Sequence, residues 1–172
     1  MKKSILPGIL FFLIFQTNAQ VQVAKLIGKN SNDYTYGYGG FLKFGYPLSA
    51  PSDVSLEIGA LVYTLKSNSK YGWAMIPLKA GYRYVVTGNS AGPYVEPQVG
   101  YNIFGIDPAD DEFTGFIWGI GTGYLFKPMG GIRFDLGLRY ESIMYKGGSV
   151  NYIMLRLTHN FGIGRKQYDE GE

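Results

Sequence analysis

A two-residue alternation of apolar and polar side chains constrains this sequence more than any other feature. Its clearest instance is GIRFDLGLRYE, from Gly131 to Glu141, in which every second residue is apolar. Successive side chains of an extended strand point to opposite faces, so this strand has one apolar face and one face of charge and glycine. The fold class depends on whether the apolar face points into a protein core or out into lipid.

Turn-forming residues divide the chain into segments of strand length. Clusters of Gly, Pro, Asn, Asp and Ser fall between these segments, and no stretch with helical periodicity competes with them. Nearly all of the segments exceed the roughly nine to eleven residues that a tilted strand needs to cross a bilayer. We predict eight strands, at residues 21–29, 35–46, 53–65, 73–86, 93–105, 113–127, 131–145 and 149–162.

The apolar face is sorted along the length of the strands. Aliphatic side chains lie mostly in the middle of each strand, and aromatic rings gather near the ends. A bilayer favours this order because amphipathic rings prefer the headgroup level, and a soluble core has no reason to sort its residues by height. We therefore predict that this face points outward to lipid. The aromatic residues expected at the membrane interfaces are Tyr46, Tyr82, Tyr84, Phe116, Trp118, Tyr124, Phe126, Phe134, Tyr140 and Phe161.

The opposite face combines charged residues with many glycines. The lumen of an eight-stranded barrel has room only for its own side chains, so each long charged residue needs a small neighbour. An unpaired buried charge costs several kcal/mol, which leads us to expect a lumen plugged by paired charges rather than an open path. The predicted luminal charge network comprises Lys43, Glu57, Lys79, Arg83, Glu96, Arg133, Asp135, Arg139, Glu141 and Arg156.

One arrangement within this network follows from the strand order. Gly119, Gly121 and Gly123 would leave a stretch of the inner barrel wall without side chains beside the charged seventh strand. We expect the charged side chains of this strand to lie across the three glycines toward Glu96 and Gln98. These side chains are Arg133, Asp135, Arg139 and Glu141.

The first residues have the three parts of a secretory signal peptide. Lys2 and Lys3 form a charged region, residues 5–15 form an apolar region, and Thr17-Asn18-Ala19 is a cleavage site of the A-x-A type. The apolar region is too short to span a bilayer as a helix. We predict that residues 1–19 are removed and that residues 20–172 form a single barrel domain.

Composition excludes several functional classes. Of the 16 basic residues, 14 remain after Lys2 and Lys3 are removed, against 13 acidic residues, so charge gives no reason to expect nucleic-acid binding. Without cysteine, the chain has no disulfides, no thiol chemistry and no lipidated N-terminal cysteine.

With these strands and faces, the chain resembles the small eight-stranded outer-membrane β-barrels of bacteria, of the OmpX and OmpA-transmembrane type. The most specific segment is the last strand, YIMLRLTHNFG, whose alternating apolar residues end at Phe161. The resemblance implies an all-β, antiparallel, up-and-down transmembrane barrel in the bacterial outer membrane, with both termini in the periplasm. It also implies outer-membrane lipid as surroundings and the barrel-assembly machinery as a partner during biogenesis. The chain departs from the family in continuing past Phe161 and in having short outer loops.

No residue pattern points to an enzyme, a metal or a cofactor. His159 is the only histidine, and the candidate nucleophiles Ser142 and Ser149 lie toward the opposite end of their strands from His159. We therefore predict an interfacial histidine rather than a catalytic triad. The acidic run 107–112 lacks the spacing of a calcium loop, and we expect it to be solvated.

Two glycine clusters superficially resemble phosphate-binding loops. Neither GYGG at 37–40 nor GIGTG at 119–123 opens a helix or precedes a P-loop lysine, so both are predicted to be strand glycines.

The function that fits these features is that of a structural or surface-interacting membrane barrel with no enzymatic turnover. Three alternatives remain open: a narrow channel for ions or small solutes, a lipid-modifying enzyme of the outer membrane, and a soluble lipocalin-like binder with the two faces reversed. The sequence does not identify a surface partner, because the fold does not fix the function.

Overall fold

The computed structural model is a closed barrel of eight antiparallel strands, each paired with the next along the chain and the last with the first. It describes residues 16–28, 31, 34–66, 71–106, 112–127 and 133–160. The strands are β1 (Gln16–Ile27), β2 (Tyr34–Pro47), β3 (Ser52–Leu65), β4 (Tyr71–Val85), β5 (Gly92–Ile106), β6 (Gly115–Leu125), β7 (Arg133–Tyr145) and β8 (Gly148–Asn160). The predicted fold class is confirmed. We call the end where β1 begins and β8 ends the terminal end, and the opposite end the loop end.

Local turn chemistry closes the hairpins. Between β2 and β3, the Leu48 amide donates to the Ser52 carbonyl at 2.9 Å, and the hydroxyls of Ser49 and Ser52 lie 2.6 Å apart. Between β4 and β5, Gly88 has a φ of +74°, which only glycine adopts readily. Both turns lie at the terminal end, so their sequences fix the stagger of the strands that they connect.

The first strand starts earlier than the sequence indicates. It begins at Gln16 rather than at residue 21, so residues 16–19 of the predicted signal peptide belong to β1, and the Asn18 side chain is buried. Asn18 also occupies a register position opposite Asn160 of β8. Residues 1–15 lie outside the described part of the chain, and the cleavage site before Gln20 stays a prediction.

The apolar face points outward, as predicted. Leu56, Leu136 and Leu155 are exposed on the barrel surface, with Leu155 exposed by 52%, whereas most charged side chains of the same strands are buried: Glu57, Asp135, Arg139, Glu141 and Arg156. A soluble protein rarely exposes so continuous an apolar surface, so this belt faces lipid. The lipocalin-like alternative is wrong because it requires these leucines to converge inside. Among the described residues, no helix is long and apolar enough to span a membrane.

Aromatic side chains on the outer surface lie nearer the strand ends. Tyr46, Tyr82, Tyr84, Tyr124, Phe126 and Phe134 are near the terminal end, whereas Phe116, Trp118 and Tyr140 lie toward the loop end. Several rings contact one another, such as Trp118 and Tyr140 with centroids 5.5 Å apart. Phe161 lies outside the described residues. That these rings mark the membrane interfaces stays a prediction.

Candidate functional site: the barrel interior

The interior of the barrel collects nearly all the charges that the alternation assigns to the inner face. Nine of the ten predicted residues are buried: Lys43, Glu57, Lys79, Arg83, Glu96, Asp135, Arg139, Glu141 and Arg156. Arg133, the first residue of β7, is half-buried at the terminal end and makes no ion pair with a residue that the structure describes. The nine buried residues come from six of the eight strands, so the network crosses the lumen in several directions.

The charges nearest mid-height form a group of two acids and two bases, which we call the central quartet: Glu57, Lys79, Arg139 and Glu141. The Lys79 ammonium lies 2.8 Å from a carboxylate oxygen of Glu57 and 2.8 Å from one of Glu141. The Arg139 guanidinium approaches the same two carboxylates at 3.1 Å each. The quartet is electrically neutral, and each member contacts two of opposite charge, which is the condition under which buried ions are tolerated.

A second group lies nearer the terminal end, and we call it the lower group: Lys43, Arg83, Glu96, Asp135 and Arg156. The Glu96 carboxylate accepts hydrogen bonds from Lys43 and from Arg156. The Asp135 carboxylate lies 3.4 Å from Arg83 and 3.6 Å from Arg156. Three bases therefore surround two acids in this group.

The missing negative charge comes from the mouth of the barrel. Asp53, half-buried near the terminal end, lies 3.7 Å from the Arg83 guanidinium. With Asp53, the lower group has three bases and three acids. The interior network as a whole is therefore balanced, which matters because residual charge in a low-dielectric interior is costly.

Tyr94 forms hydrogen bonds with two members of the lower group. The sequence analysis did not identify it as part of the network. Its hydroxyl donates to Asp135 at 2.5 Å and accepts a hydrogen bond from Arg156 at 2.7 Å. A signal for this role exists, because Tyr94 lies two residues before Glu96 on the same strand and so has the same inward direction. Tyrosines at such positions are easily assigned to the membrane girdle instead.

The expected lean of the seventh strand toward Glu96 is only partly observed. Arg139 approaches Glu96 at 3.8 Å, but its hydrogen bonds go to Glu57 and Glu141. The expectation was wrong for Asp135 and Glu141, since both acids turn to basic partners on other strands. Like charge explains the difference, because an acid gains nothing by approaching Glu96.

The inward-facing glycines of β6 leave space for charged side chains of the network. A Cβ atom built on Gly119 would lie 2.7 Å from the Glu141 side chain, and one built on Gly121 would lie 3.5 Å from Arg139. The clusters 37–40 and 119–123 are thus strand glycines, as predicted. Gly119 and Gly121 make space for long charged side chains, whereas Gly37 makes space for the Tyr63 ring.

The loop-end half of the lumen is apolar, which the sequence-based interpretation missed. Phe113 closes this layer: its amide donates to the Gly105 carbonyl at 2.9 Å, and its ring centroid lies 4.6 Å from that of Trp73. The layer contacts the central quartet through Tyr152, whose hydroxyl donates to Glu141 at 2.6 Å. Its buried members are Ala24, Leu26, Tyr34, Phe41, Leu61, Tyr63, Trp73, Met75, Phe113, Ile117, Ile143, Val150, Tyr152 and Met154.

Other candidate residues are not brought together. His159 lies near the terminal end with its ring edge on Phe134, at a centroid distance of 5.5 Å, whereas Ser142 and Ser149 lie toward the loop end of the β7–β8 hairpin. Within the described residues, no group of three or more His, Cys, Asp or Glu side chains is placed to hold a metal ion. Residues 107–111 of the acidic run lie outside the described part of the chain.

No protein-family model and no curated protein sequence matches this chain. Among solved structures, it is similar to the crystal structure of Neisserial surface protein A (NspA), at 17% identity and a TM-score of 0.68, over 85% of this chain and 95% of that one. It is also similar to Ail, the attachment invasion locus protein of Yersinia pestis, at 13% identity and a TM-score of 0.52, over 86% and 97% of the two chains. Ail in a phospholipid bilayer nanodisc gives 14% identity and a TM-score of 0.53, over 86% and 99%.

At these identities the likeness shows the fold. The chain has the eight-stranded architecture of small bacterial outer-membrane β-barrels, which confirms the resemblance inferred from its last strand and its alternation. Together with the exposed apolar residues, this closed barrel is that of a protein whose strands span a membrane.

Proposed function

We propose that this chain is a structural or surface-interacting protein of the outer membrane, with a lumen closed to solutes and no enzymatic turnover. An even number of strands puts both chain ends at the terminal end. This end faces the periplasm, as the resemblance to outer-membrane barrels implies. The observation that carries the proposal is the filling of the lumen by two layers of different chemistry, the charge network and the apolar layer.

Passage of an ion would require both layers to rearrange. Each charge of the central quartet has two partners of opposite sign, and separating a buried ion from its partner costs about 3–5 kcal/mol. Beyond the quartet, an ion would have to pass a layer of rings and aliphatic side chains that offers it almost no polar groups. The narrow-channel alternative therefore has two successive barriers to overcome.

A surface role agrees with the confinement of the charge network to the strands. All members of the described charge network belong to strands, so a change of sequence in the connections at the loop end leaves these contacts in place. The similar proteins are named a surface protein and an attachment invasion locus protein, and a role in surface interaction is the corresponding proposal for this chain. Outer-membrane lipid surrounds the belt, and the barrel-assembly machinery reads the outward-facing Ile153, Leu155 and Leu157 during biogenesis.

Two measurements on the full chain test this proposal. Outer-membrane fractionation followed by gel electrophoresis with and without boiling should give a band whose mobility changes on heating, because the closed barrel resists detergent. Folded protein in planar bilayers should give no discrete conductance steps. Regular steps would overturn the closed lumen and favour a channel.

The enzymatic alternative has its own measurement. Mass spectra of lipid A from cells with and without the protein should be identical, because Ser142 and Ser149 lie toward the opposite end of the β7–β8 hairpin from His159. A protein-dependent change in acyl chains or phosphates would overturn the proposed absence of turnover.

A further inference from the structure

Lys25 stands apart from every other charged residue of the strands. It is the only Asp, Glu, Lys or Arg on the outward face of the eight described strands, and its side chain is exposed. It lies two residues before the end of β1, at the loop end. Its ammonium lies 5.7 Å from the centroid of the Tyr36 ring. A lysine at this height can extend along the apolar surface to the level of the lipid headgroups.

Polar groups on both neighbouring strands accompany Lys25. Tyr36 of β2 is its register partner, and Asn151 of β8 lies opposite Ile27, one step closer to the loop end. Asn151 points outward because its neighbours Val150 and Tyr152 are buried inside the barrel. An ammonium, a phenol and a carboxamide thus lie together on three adjacent strands, and all three can donate hydrogen bonds.

Below this group runs an apolar groove. Val21, two steps down β1, is exposed by 66%, the highest value among the large apolar residues of the surface. The cause is its partner Gly40, where an added Cβ would meet nothing within 4 Å. Ala60 of β3 continues the line of small residues beyond Gly40. The exposed pair Val23 and Tyr38 separates Lys25 from this groove, which lies near the middle of β1 and β2, at the depth of acyl chains.

We propose that Lys25, Tyr36 and Asn151 bind the headgroup phosphate of an outer-leaflet lipid whose acyl chain lies in the groove at Val21 and Gly40. A phosphate ester provides the negative charge that Lys25 lacks on this face, and its oxygens accept from all three donors. The groove at a fixed distance below the cation selects a lipid rather than a free anion. The inference rests on the proposed membrane location but not on the closed lumen.

The test uses the folded full chain in micelles of a zwitterionic detergent, with bound lipid counted by native mass spectrometry. The two probes are dioleoyl phosphatidic acid and dioleoylglycerol, which have the same acyl chains with and without the phosphate. We expect the chain to retain the phosphatidic acid preferentially. Lys25→Gln should weaken this binding about tenfold or more, the scale of a hydrogen bond to a charged group, and Lys25→Arg should restore most of it.

Two further variants separate the parts of the site. Lys146→Gln removes a lysine from the turn at the same end of the barrel and should change nothing. Gly40→Leu fills the groove and should weaken the binding of both lipids. Equal retention of the two lipids, or equal binding by the wild type and Lys25→Gln, would overturn phosphate recognition. Displacement of the lipid by an equal concentration of inorganic phosphate would overturn the role of the groove. In each case the heat-dependent mobility of the barrel would be unchanged, so the proposed function would survive.

Discussion

The Arg139 guanidinium of β7 donates to both carboxylate oxygens of Glu57 on β3, at 3.1 and 3.3 Å, although the two residues are 82 positions apart in the sequence. The pair spans the lumen and is completely shielded from solvent. Lys79 and Glu141 join it from a third strand and from β7 itself, so the central quartet connects opposite walls of the barrel. Loss of any one member leaves an opposite charge buried with one partner fewer.

The first prediction concerns this quartet. Glu57→Gln keeps the shape of the side chain but removes one of the two negative charges that face Lys79 and Arg139. We expect the variant to lose about 3–5 kcal/mol of unfolding free energy, as happens when one partner of a buried pair is removed. Urea unfolding in phosphatidylcholine vesicles, followed by the mobility of the unboiled protein on gels, measures the loss.

Asp53→Asn is the matched control for the quartet. It also removes an acidic partner of an arginine, but the Asp53 side chain is 22% exposed and Arg83 keeps two other carboxylates nearby. We expect a loss of about 1 kcal/mol, well below that of Glu57→Gln, because the half-buried Asp53 carboxylate keeps contact with water in the folded state. Equal losses for the two variants would mean that burial does not decide the strength of these contacts.

The second prediction concerns two glycines on the same strand. Alanine at position 119 would place its Cβ 2.7 Å from both the Glu141 side chain and the Tyr140 carbonyl oxygen, whereas at position 121 the nearest atoms are 3.5 Å away. Gly119→Ala should therefore lose about 1–3 kcal/mol, the range for overpacking. Gly121→Ala should be neutral or gain up to about 1 kcal/mol, because alanine has less backbone entropy to lose than glycine. The same urea titration measures both changes in unfolding free energy. Equal losses for Gly119→Ala and Gly121→Ala would contradict the tighter packing at Gly119.

The alternation was sufficient to predict which face of each strand is polar. Adjacent residues such as Leu138 and Arg139 must point to opposite sides of a closed sheet, and the glycine between long charged residues indicates which side is narrow. Face and strand order therefore follow from local rules. The luminal position of Lys43 and Arg156 needed nothing beyond these rules.

The composition of the lumen along its axis could not be predicted in this way. Trp73, Ile117 and Tyr152 have the same inward direction as the charged residues, yet they form a separate apolar layer. The two-residue alternation predicts whether a side chain points into the lumen or out of it. It does not predict the position of that side chain along the barrel axis, which depends on the stagger between strands. The same stagger decides that Arg139 meets Glu57 rather than Glu96, because contacts across the lumen are not visible in pairs of neighbouring strands.

The third prediction separates the two tryptophans of the chain. Trp118 is 40% exposed on the outer surface, whereas Trp73 is 5% exposed inside the lumen. In vesicles with brominated acyl chains, Trp73→Phe, which retains Trp118, should be strongly quenched. Trp118→Phe, which retains Trp73, should be quenched several-fold less because the barrel wall keeps bromine from the ring. Similar quenching of both variants would place Trp73 on the lipid-facing surface and remove the apolar layer from the lumen.

The fourth prediction tests the outward direction of the belt. Leu155 lies near the middle of β8 with its side chain outside the barrel, and Leu48 lies in the turn between β2 and β3 at the terminal end, also exposed. Both leucines would be harmless sites for a charge if the surface were in water. In a bilayer, Leu155→Arg puts a guanidinium into hydrocarbon and should cost about 2–4 kcal/mol of unfolding free energy, whereas Leu48→Arg reaches the interface and should cost about 0–1 kcal/mol. The difference between the two variants, measured in the same vesicles, removes any effect of arginine on folding in general. If Leu155→Arg proved as stable as Leu48→Arg and stayed soluble without detergent, the leucine belt would be in water and the barrel would not be a membrane protein.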